Sequence, residues 1–262
     1  MHKQAQPIVI FDSGVGGLSI YQEVKRRLPG LDVVYCSDNE GFPYGPKPES
    51  EVVDRTVHCL SRLAEQYHPS LAIIACNTAS TISLPRARQT LKIPIVGVVP
   101  AIKPAGERST NRCIGLLATP GTVEREYTHQ LIRDFARDCE VISVGSSRLV
   151  QLAENHLRGV RVEPGELEEI IAPFFAGDRW PDSIVLGCTH FPLLKDELQA
   201  VSPVPIQWID SGEAIARRVG SLIEHKVEGN GTDIFTHTGS VETVQPLESA
   251  IMAMGFQAPR PL

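Results

Sequence analysis

A chain of 262 residues with 42% hydrophobic and 21% charged residues carries enough apolar material for one large or two modest α/β cores, and these proportions exclude a disordered or collagen-like polymer. The formal net charge of −6 argues against a nucleic-acid platform, and no apolar run approaches the roughly 20 residues that cross a bilayer. The first seven residues lack the apolar core of a secretory signal, so the cytoplasm is the expected location. The six cysteines, Cys36, Cys59, Cys76, Cys113, Cys139 and Cys188, form no C-x-x-C pair. They suggest neither a zinc knuckle nor a disulfide framework, and are expected to be free thiols.

Pro7 to Phe11 is an apolar strand that opens into Asp12-Ser13-Gly14-Val15-Gly16-Gly17, after which Leu18, Tyr21, Val24 and Leu28 recur at helical spacing. The glycines fit neither the G-x-G-x-x-G fingerprint nor a phosphate loop. A carboxylate at the end of a buried strand is costly without a task. Asp12 is therefore either a functional group or the turn-former and helix cap that aspartate ordinarily supplies. Pro29-Gly30 ends the helix, and Val33 to Cys36 begins a second strand. The Gly- and Pro-rich loop from Asp38 to Pro48 follows a strand end, where loops often carry function. Within it Tyr44 and Gly45 offer a hydroxyl and a backbone N–H to a small polar ligand, or else stiffen the connection.

Ser50 is the expected cap of the next helix, whose apolar face is read as Val53, Val57, Leu60, Leu63, Ala64 and Tyr67. His58 and Cys59 are then packing or surface groups. Leu71 to Ala75 is a strand running into Cys76-Asn77-Thr78. A thiol there either fills a core or points into the crevice where open α/β sheets bind ligands. Pro85 predicts a break between a short turn from Thr78 to Leu84 and a main helix from Pro85 to Leu91, with Ile93 to Val99 as a further strand.

The pattern then restarts. Cys113 to Thr122 repeats the N-terminal strand and turn, with Thr119 in the place of Asp12. Ile184-Val185-Leu186-Gly187-Cys188-Thr189-His190 mirrors Ile73 to Thr78, and Pro205-Ile206-Gln207 mirrors Pro94-Ile95-Val96. The offsets of 107, 112 and 111 residues are nearly constant, and so long a period means two similar α/β domains and not a solenoid. Facing each other about a pseudo-twofold axis, such domains would bring two thiols to opposite sides of one crevice. Inverting a carbon stereocentre by proton removal needs a base on one face and an acid on the other, and two like groups serve both directions. A cysteine of reference pKa about 8.5, lowered by a helix amino end or a cation, suits either role near neutral pH.

Together Phe11-Asp12-Ser13-Gly14-Val15-Gly16-Gly17, Pro43-Tyr44-Gly45, Ala75-Cys76-Asn77-Thr78-Ala79 and Leu186-Gly187-Cys188-Thr189-His190 resemble the bacterial glutamate racemases of the aspartate/glutamate racemase family, in order and over nearly the whole chain. The resemblance implies interconversion of L- and D-glutamate, without cofactor or metal, to supply D-glutamate for peptidoglycan. It also implies a cytoplasmic homodimer with glutamate as its small-molecule partner and with neither nucleic acid nor membrane. Cys76 and Cys188 become the two proton-transfer groups, Cys76 for D-glutamate and Cys188 for the L form. Asp12, Ser13, Tyr44, Gly45, Asn77, Thr78, Thr189 and His190 match the family's substrate contacts, with Asp12 and His190 also assisting the thiols. Glu154 matches a supporting acid, although its amphipathic surroundings equally suit a surface glutamate. An aspartate-type racemase, a non-catalytic amino-acid-binding protein and a redox or metal protein using Cys188-x-His190 are the alternatives. No lysine in these motifs suggests a pyridoxal Schiff base.

The expected fold is two pseudo-symmetric open-sheet α/β domains with mostly parallel strands and the active site between them. Residues 1–98 plus 210–262 would form the first and 99–209 the second. Trp208 to Gly212 ends a strand, Glu213 to Glu224 is a helix, and His225 to Asp233 is a loop. Ile234 to Gly239 and an amphipathic segment from Val241 to Met254 follow. By the resemblance these return to the first domain, whereas the sequence alone could append them to the second. Arg260 to Leu262 is expected to fray.

Overall fold

The computed structural model describes residues 6–223 and 232–262. In chain order the elements are β1 (Ile8–Asp12), α1 (Leu18–Arg27), β2 (Val33–Ser37), α2 (Glu49–Tyr67), β3 (Leu71–Ile74), α3 (Asn77–Thr90), β4 (Ile95–Gly97), α4 (Ile102–Arg108), β5 (Cys113–Ala118), α5 (Pro120–Glu124) and α6 (Glu126–Phe135). They continue with β6 (Glu140–Gly145), α7 (Arg148–Leu157), α8 (Pro164–Ile171), β7 (Ser183–Leu186), α9 (Lys195–Val201), β8 (Gln207–Ile209), α10 (Gly212–Leu222), β9 (Ile234–His237), α11 (Val241–Val244), α12 (Glu248–Ala253) and β10 (Arg260–Pro261).

The chain divides into two compact units, Met1–Val98 with Gly212–Leu262, and Val99–Ser211. In the first, six strands lie in the order β10-β9-β2-β1-β3-β4; in the second, four lie in the order β6-β5-β7-β8. Every pairing in both sheets is parallel. All five residues of β1 and of β2 are buried. Successive strand residues point to opposite faces, so both faces of the sheet are covered, which is why these strands read as unbroken apolar runs.

The order β2-β1-β3-β4 recurs as β6-β5-β7-β8, and the ladders give the repeat an exact register. The Ala75 N–H donates to the Phe11 carbonyl and the Gly187 N–H to that of Leu117, so Cys76 and Cys188 occupy equivalent places, each two residues past its strand. The Asp38 N–H meets the Asp12 carbonyl just as the Ser146 N–H meets that of Ala118. The counterpart of Asp12 is therefore Ala118, and Thr119 corresponds to Ser13. Likewise Ala72 pairs with Ile95 and Ile184 with Trp208, so Gln207, and not Pro205, stands where Pro94 stands. Matching residue types at turns misplaced these two pairs, because the connections differ in length while the ladders do not.

Other expectations shift at element ends. Helix α2 starts at Glu49 behind Pro48, with Ser50 inside the helix and no side-chain cap. Its buried face is Val52, Thr56, Cys59, Leu60 and Leu63; the small Thr56 and Cys59 turn inward where α2 packs on α3 and β1, leaving Val53 and Val57 half-buried. Pro85 does not divide α3, which is continuous from Asn77 to Thr90. Its packing along α2 and β4 outweighs a cost of about 3 kcal/mol for an interior proline.

The segment from Val241 to Met254 is two short helices parted by a 3-10 turn at Gln245–Leu247, where Pro246 removes a donor. Arg260 to Leu262 does not fray. β10 pairs with β9, the Leu262 N–H donates to His237, and Arg62 donates to the Leu262 carbonyl at 2.8 Å. β9 itself pairs with β2, which resolves in favour of the first sheet what the sequence left open. Of the expected loop from His225 to Asp233, residues 225–231 lie outside the described residues; Asp233 is buried and accepts from Tyr21 Oη at 2.7 Å and the Val33 N–H at 2.9 Å.

Candidate active site

In the first unit the carboxyl ends of β1 and β3 carry the polar cluster. Asp12 is fully buried, and its Oδ1 accepts the Gly14 N–H at 2.9 Å, a turn-forming bond. It does not cap α1, whose N-cap is Gly17 without a side-chain bond. A Cβ at Gly17 would lie 2.9 Å from Ala75 Cβ, 2.9 Å from Tyr35 Oη and 3.0 Å from Asp12 Cβ. Glycine is thus what lets the turn close against the strand end beneath Cys76.

Cys76 is the N-cap of α3. Its sulfur accepts the Ala79 N–H at 3.5 Å and the Ser13 hydroxyl at 3.5 Å. Both donors, with the helix amino end behind them, favour negative charge on sulfur. Asn77 and Thr78, the first two residues of α3, are buried beside it.

The Tyr44 ring packs in the same core cluster as Cys76, but its hydroxyl is already committed, donating to Asp38 Oδ2 at 2.5 Å. Toward a ligand it is left with acceptor capacity. Burial and the Asp38 charge push the Tyr44 phenol well above its ordinary range. Asp38 is a hub that the sequence did not reveal. It is fully buried, receives Arg55 at both oxygens (2.6 and 2.8 Å) and takes the Thr238 hydroxyl at 2.6 Å. Burial opposes its charge, yet the donors from Arg55, Thr238 and Tyr44 prevail and hold the carboxyl below its usual range. Gly45, two residues past the cis Phe42–Pro43 bond, has no atom within 4 Å of a built Cβ, so this side of the loop is open.

In the second unit Cys188 follows β7, and a 3-10 turn at Phe191–Leu194 succeeds it in place of an α-helix. Its sulfur lies 3.7 Å from His190 Nδ1, and His190 Nε2 lies 2.9 Å from Glu154 Oε1. Glu154 on α7 is buried, not a surface residue; Arg158 donates to its Oε2 at 2.7 Å. Burial works against a charge on His190, but Cys188 and Glu154 outweigh it and raise the imidazole well above the ordinary histidine range. Thr189, which separates Cys188 and His190 in sequence, is buried. Ala118 offers no carboxylate at the position equivalent to Asp12, and Thr119 bonds Thr122 at 2.9 Å.

Of the residues singled out from sequence, Asp12, Ser13, Cys76, Asn77 and Thr78 gather at adjacent strand ends of one unit, with Tyr44 in the same core. Glu154, Cys188, Thr189 and His190 gather in the other. Sequence reading missed Asp38, Arg55, Thr238 and Arg158. Only Arg158 left a signal, its i,i+4 spacing from Glu154; Arg55 and Thr238 reach Asp38 through the fold. Among the described residues no group of three or more His, Cys, Asp and Glu side chains is placed to hold a metal ion.

An open parallel α/β sheet is repeated within one chain, with a thiol two residues beyond the equivalent strand of each repeat. Residues 8–219 match the Asp/Glu/hydantoin racemase family, and the chain belongs to that family. It is 51% identical over 227 residues to the glutamate racemase of Salmonella typhimurium, across 86% of this chain and 80% of that relative. The crystal structure of Escherichia coli glutamate racemase, a complex with L-glutamate and the activator UDP-MurNAc-Ala, superposes with a TM-score of 0.94 at 44% identity, covering 98% of each chain. A glutamate racemase isoform from Bacillus anthracis gives a TM-score of 0.82 at 28% identity, over 98% of this chain and 97% of that one.

Proposed function

We propose that this protein interconverts L- and D-glutamate by proton transfer at Cα, using Cys76 and Cys188 and no cofactor, and so supplies D-glutamate for peptidoglycan. One thiolate takes the α-proton, forming an S–H bond as the C–H bond breaks. The other thiol then gives its proton to the opposite face of the carbanion. Cys188 begins the reaction from L-glutamate and Cys76 from D-glutamate. The observation that carries this reading is the identical ladder position of the two cysteines in the two repeats, each sulfur beside a polar partner. Glutamate racemases at 51% identity, and L-glutamate in the E. coli structure, support the choice of substrate.

Asn77, Thr78, Thr189 and the Gly45 N–H supply neutral donors for the two carboxylates, Ser13 lines the substrate while its hydroxyl stays on Cys76, and Asp12 is an acceptor for the ammonium. Asp12 and His190 assist the neighbouring thiols, and Glu154 supports His190. No described helix is long and apolar enough to cross a membrane; the enzyme works in the cytoplasm as a homodimer, which light scattering after size exclusion tests.

The deciding experiment is α-proton exchange in D2O without added cofactor, followed by 1H NMR for both enantiomers of glutamate and aspartate. Exchange of both glutamates is expected. No exchange by folded protein overturns the reading, and faster exchange of aspartate replaces it with an aspartate-type racemase.

A further inference from the structure

We infer that Arg158 is a positioning residue for proton transfer at Cys188, acting through Glu154 and His190. The inference rests on the racemase reading above and extends it to a residue outside the motifs. Arg158 is the C-cap of α7, four residues after Glu154. Its Nη1 donates to Glu154 Oε2 at 2.7 Å and to the Glu154 backbone carbonyl at 2.8 Å. The other carboxylate oxygen meets His190 Nε2 at 2.9 Å, and His190 Nδ1 faces the Cys188 sulfur at 3.7 Å. The four groups form one line from a guanidinium whose side chain is 27% exposed, through a carboxylate at 6% and an imidazole at 4%, to the buried thiol.

The terminal torsion of a glutamate is broad and roughly two-fold, so a buried carboxylate needs a second anchor to aim one oxygen. Arg158 holds Oε2 from the C-cap of that helix, which turns Oε1 toward His190. That commits the Nε2–H of His190 to Glu154 and reserves Nδ1 for sulfur. When the imidazole is protonated, Nδ1–H donates to the Cys188 thiolate. When the proton passes to sulfur, an S–H bond replaces the Nδ1–H bond and Nδ1 accepts from the thiol. The tautomer stays the same in both states, so Cys188 alternates between base and acid without reorienting its partner. Cys76 receives its donors from Ser13 and the α3 backbone instead, so loss of Arg158 disturbs only the Cys188 side.

The test compares wild type with Arg158→Ala, Arg158→Gln and Arg158→Lys by glutamate racemisation kinetics and by NMR of [15N]histidine-labelled enzyme. Arg148→Ala serves as the control, since it removes an exposed ion pair of the same helix (Arg148 Nε to Glu166 Oε2, 2.6 Å) without touching Glu154. Arg158→Ala is expected to lower kcat about 10- to 100-fold, the range for losing a charge-assisted hydrogen bond, with KM within about twofold. It should also remove the hydrogen-bonded Nε2–H signature of His190. Arg158→Lys, which keeps a charged donor, should recover kcat to within about threefold, and Arg148→Ala should match wild type.

Wild-type kcat and an unchanged His190 signal in Arg158→Ala overturn the inference. So does a Lys variant as impaired as the Ala variant, which marks a packing role. Should the Ala variant not fold, Arg158→Gln, a neutral donor of similar reach, is read by the same criteria. If wild type itself does not racemise glutamate, the functional reading fails, while the His190 signal still decides whether Arg158 sets the imidazole.

Discussion

The two strand-end thiols are served by different chemistry. Cys76 has a helix amide and a hydroxyl, both neutral donors, whereas Cys188 has an imidazole backed by a carboxylate and a guanidinium. Each is expected to be indispensable, since a positioned proton-transfer group contributes about 10² to 10⁴ in rate. Cys76→Ala and Cys188→Ala should each cut kcat/KM by about 10³-fold or more, measured by polarimetry, and near-full activity in either contradicts the two-thiol mechanism. His190 adds a pH signature. Its folded-state proton affinity is raised, so its stabilising contribution is complete below the free value of about 6.5 and fades as pH climbs through the folded value. The Tm gap between wild type and His190→Gln should therefore narrow from neutral to strongly alkaline pH; a widening gap refutes this. The strand-end places of Cys76, Cys188 and Asp12 were legible in the sequence because each ends an apolar run. Asp38 was not, since its partners Arg55 and Thr238 lie 17 and 200 residues away.

Elements were legible where period alone decides them, and misread where a neighbour does. The β1 turn shows how tightly local geometry is coupled to the site. Gly17→Ala would force a Cβ to within 3.0 Å of Ala75, Tyr35 and Asp12 together, and overpacking of this kind costs about 1–3 kcal/mol. Both Tm and kcat should fall, because the displaced atoms carry Asp12 and the strand end before Cys76. A variant with unchanged Tm would show that the turn is looser than its contacts indicate. The inward face of α2 and the continuity of α3 through Pro85 depend on how these two helices pack on one another. Intrinsic propensity is a weak prior against such contacts. β10 was misread as a fraying end because its pairing partner, β9, is the element that returns to the first sheet.

At the scale of the molecule, the first unit is closed by residues that follow the second in sequence. β9 covers the edge of β2, and Asp233 holds Tyr21 and Lys25 of α1. A chain truncated after Ser211 should expose that edge and deprive Tyr21 and Lys25 of Asp233, producing aggregation in light scattering and loss of cooperative melting. A monodisperse, cooperatively folding fragment would contradict this dependence. The parallel α/β class, the presence of an internal repeat and the equivalence of Cys76 and Cys188 within it were readable from one dimension, because hydrophobic period and strand-end chemistry are local in sequence. The register that equates Asp12 with Ala118, the partners of Asp38 and the burial of Glu154 between His190 and Arg158 were not. Hydrogen bonding and charge stabilisation depend on distance in space, and only the folded chain sets those distances.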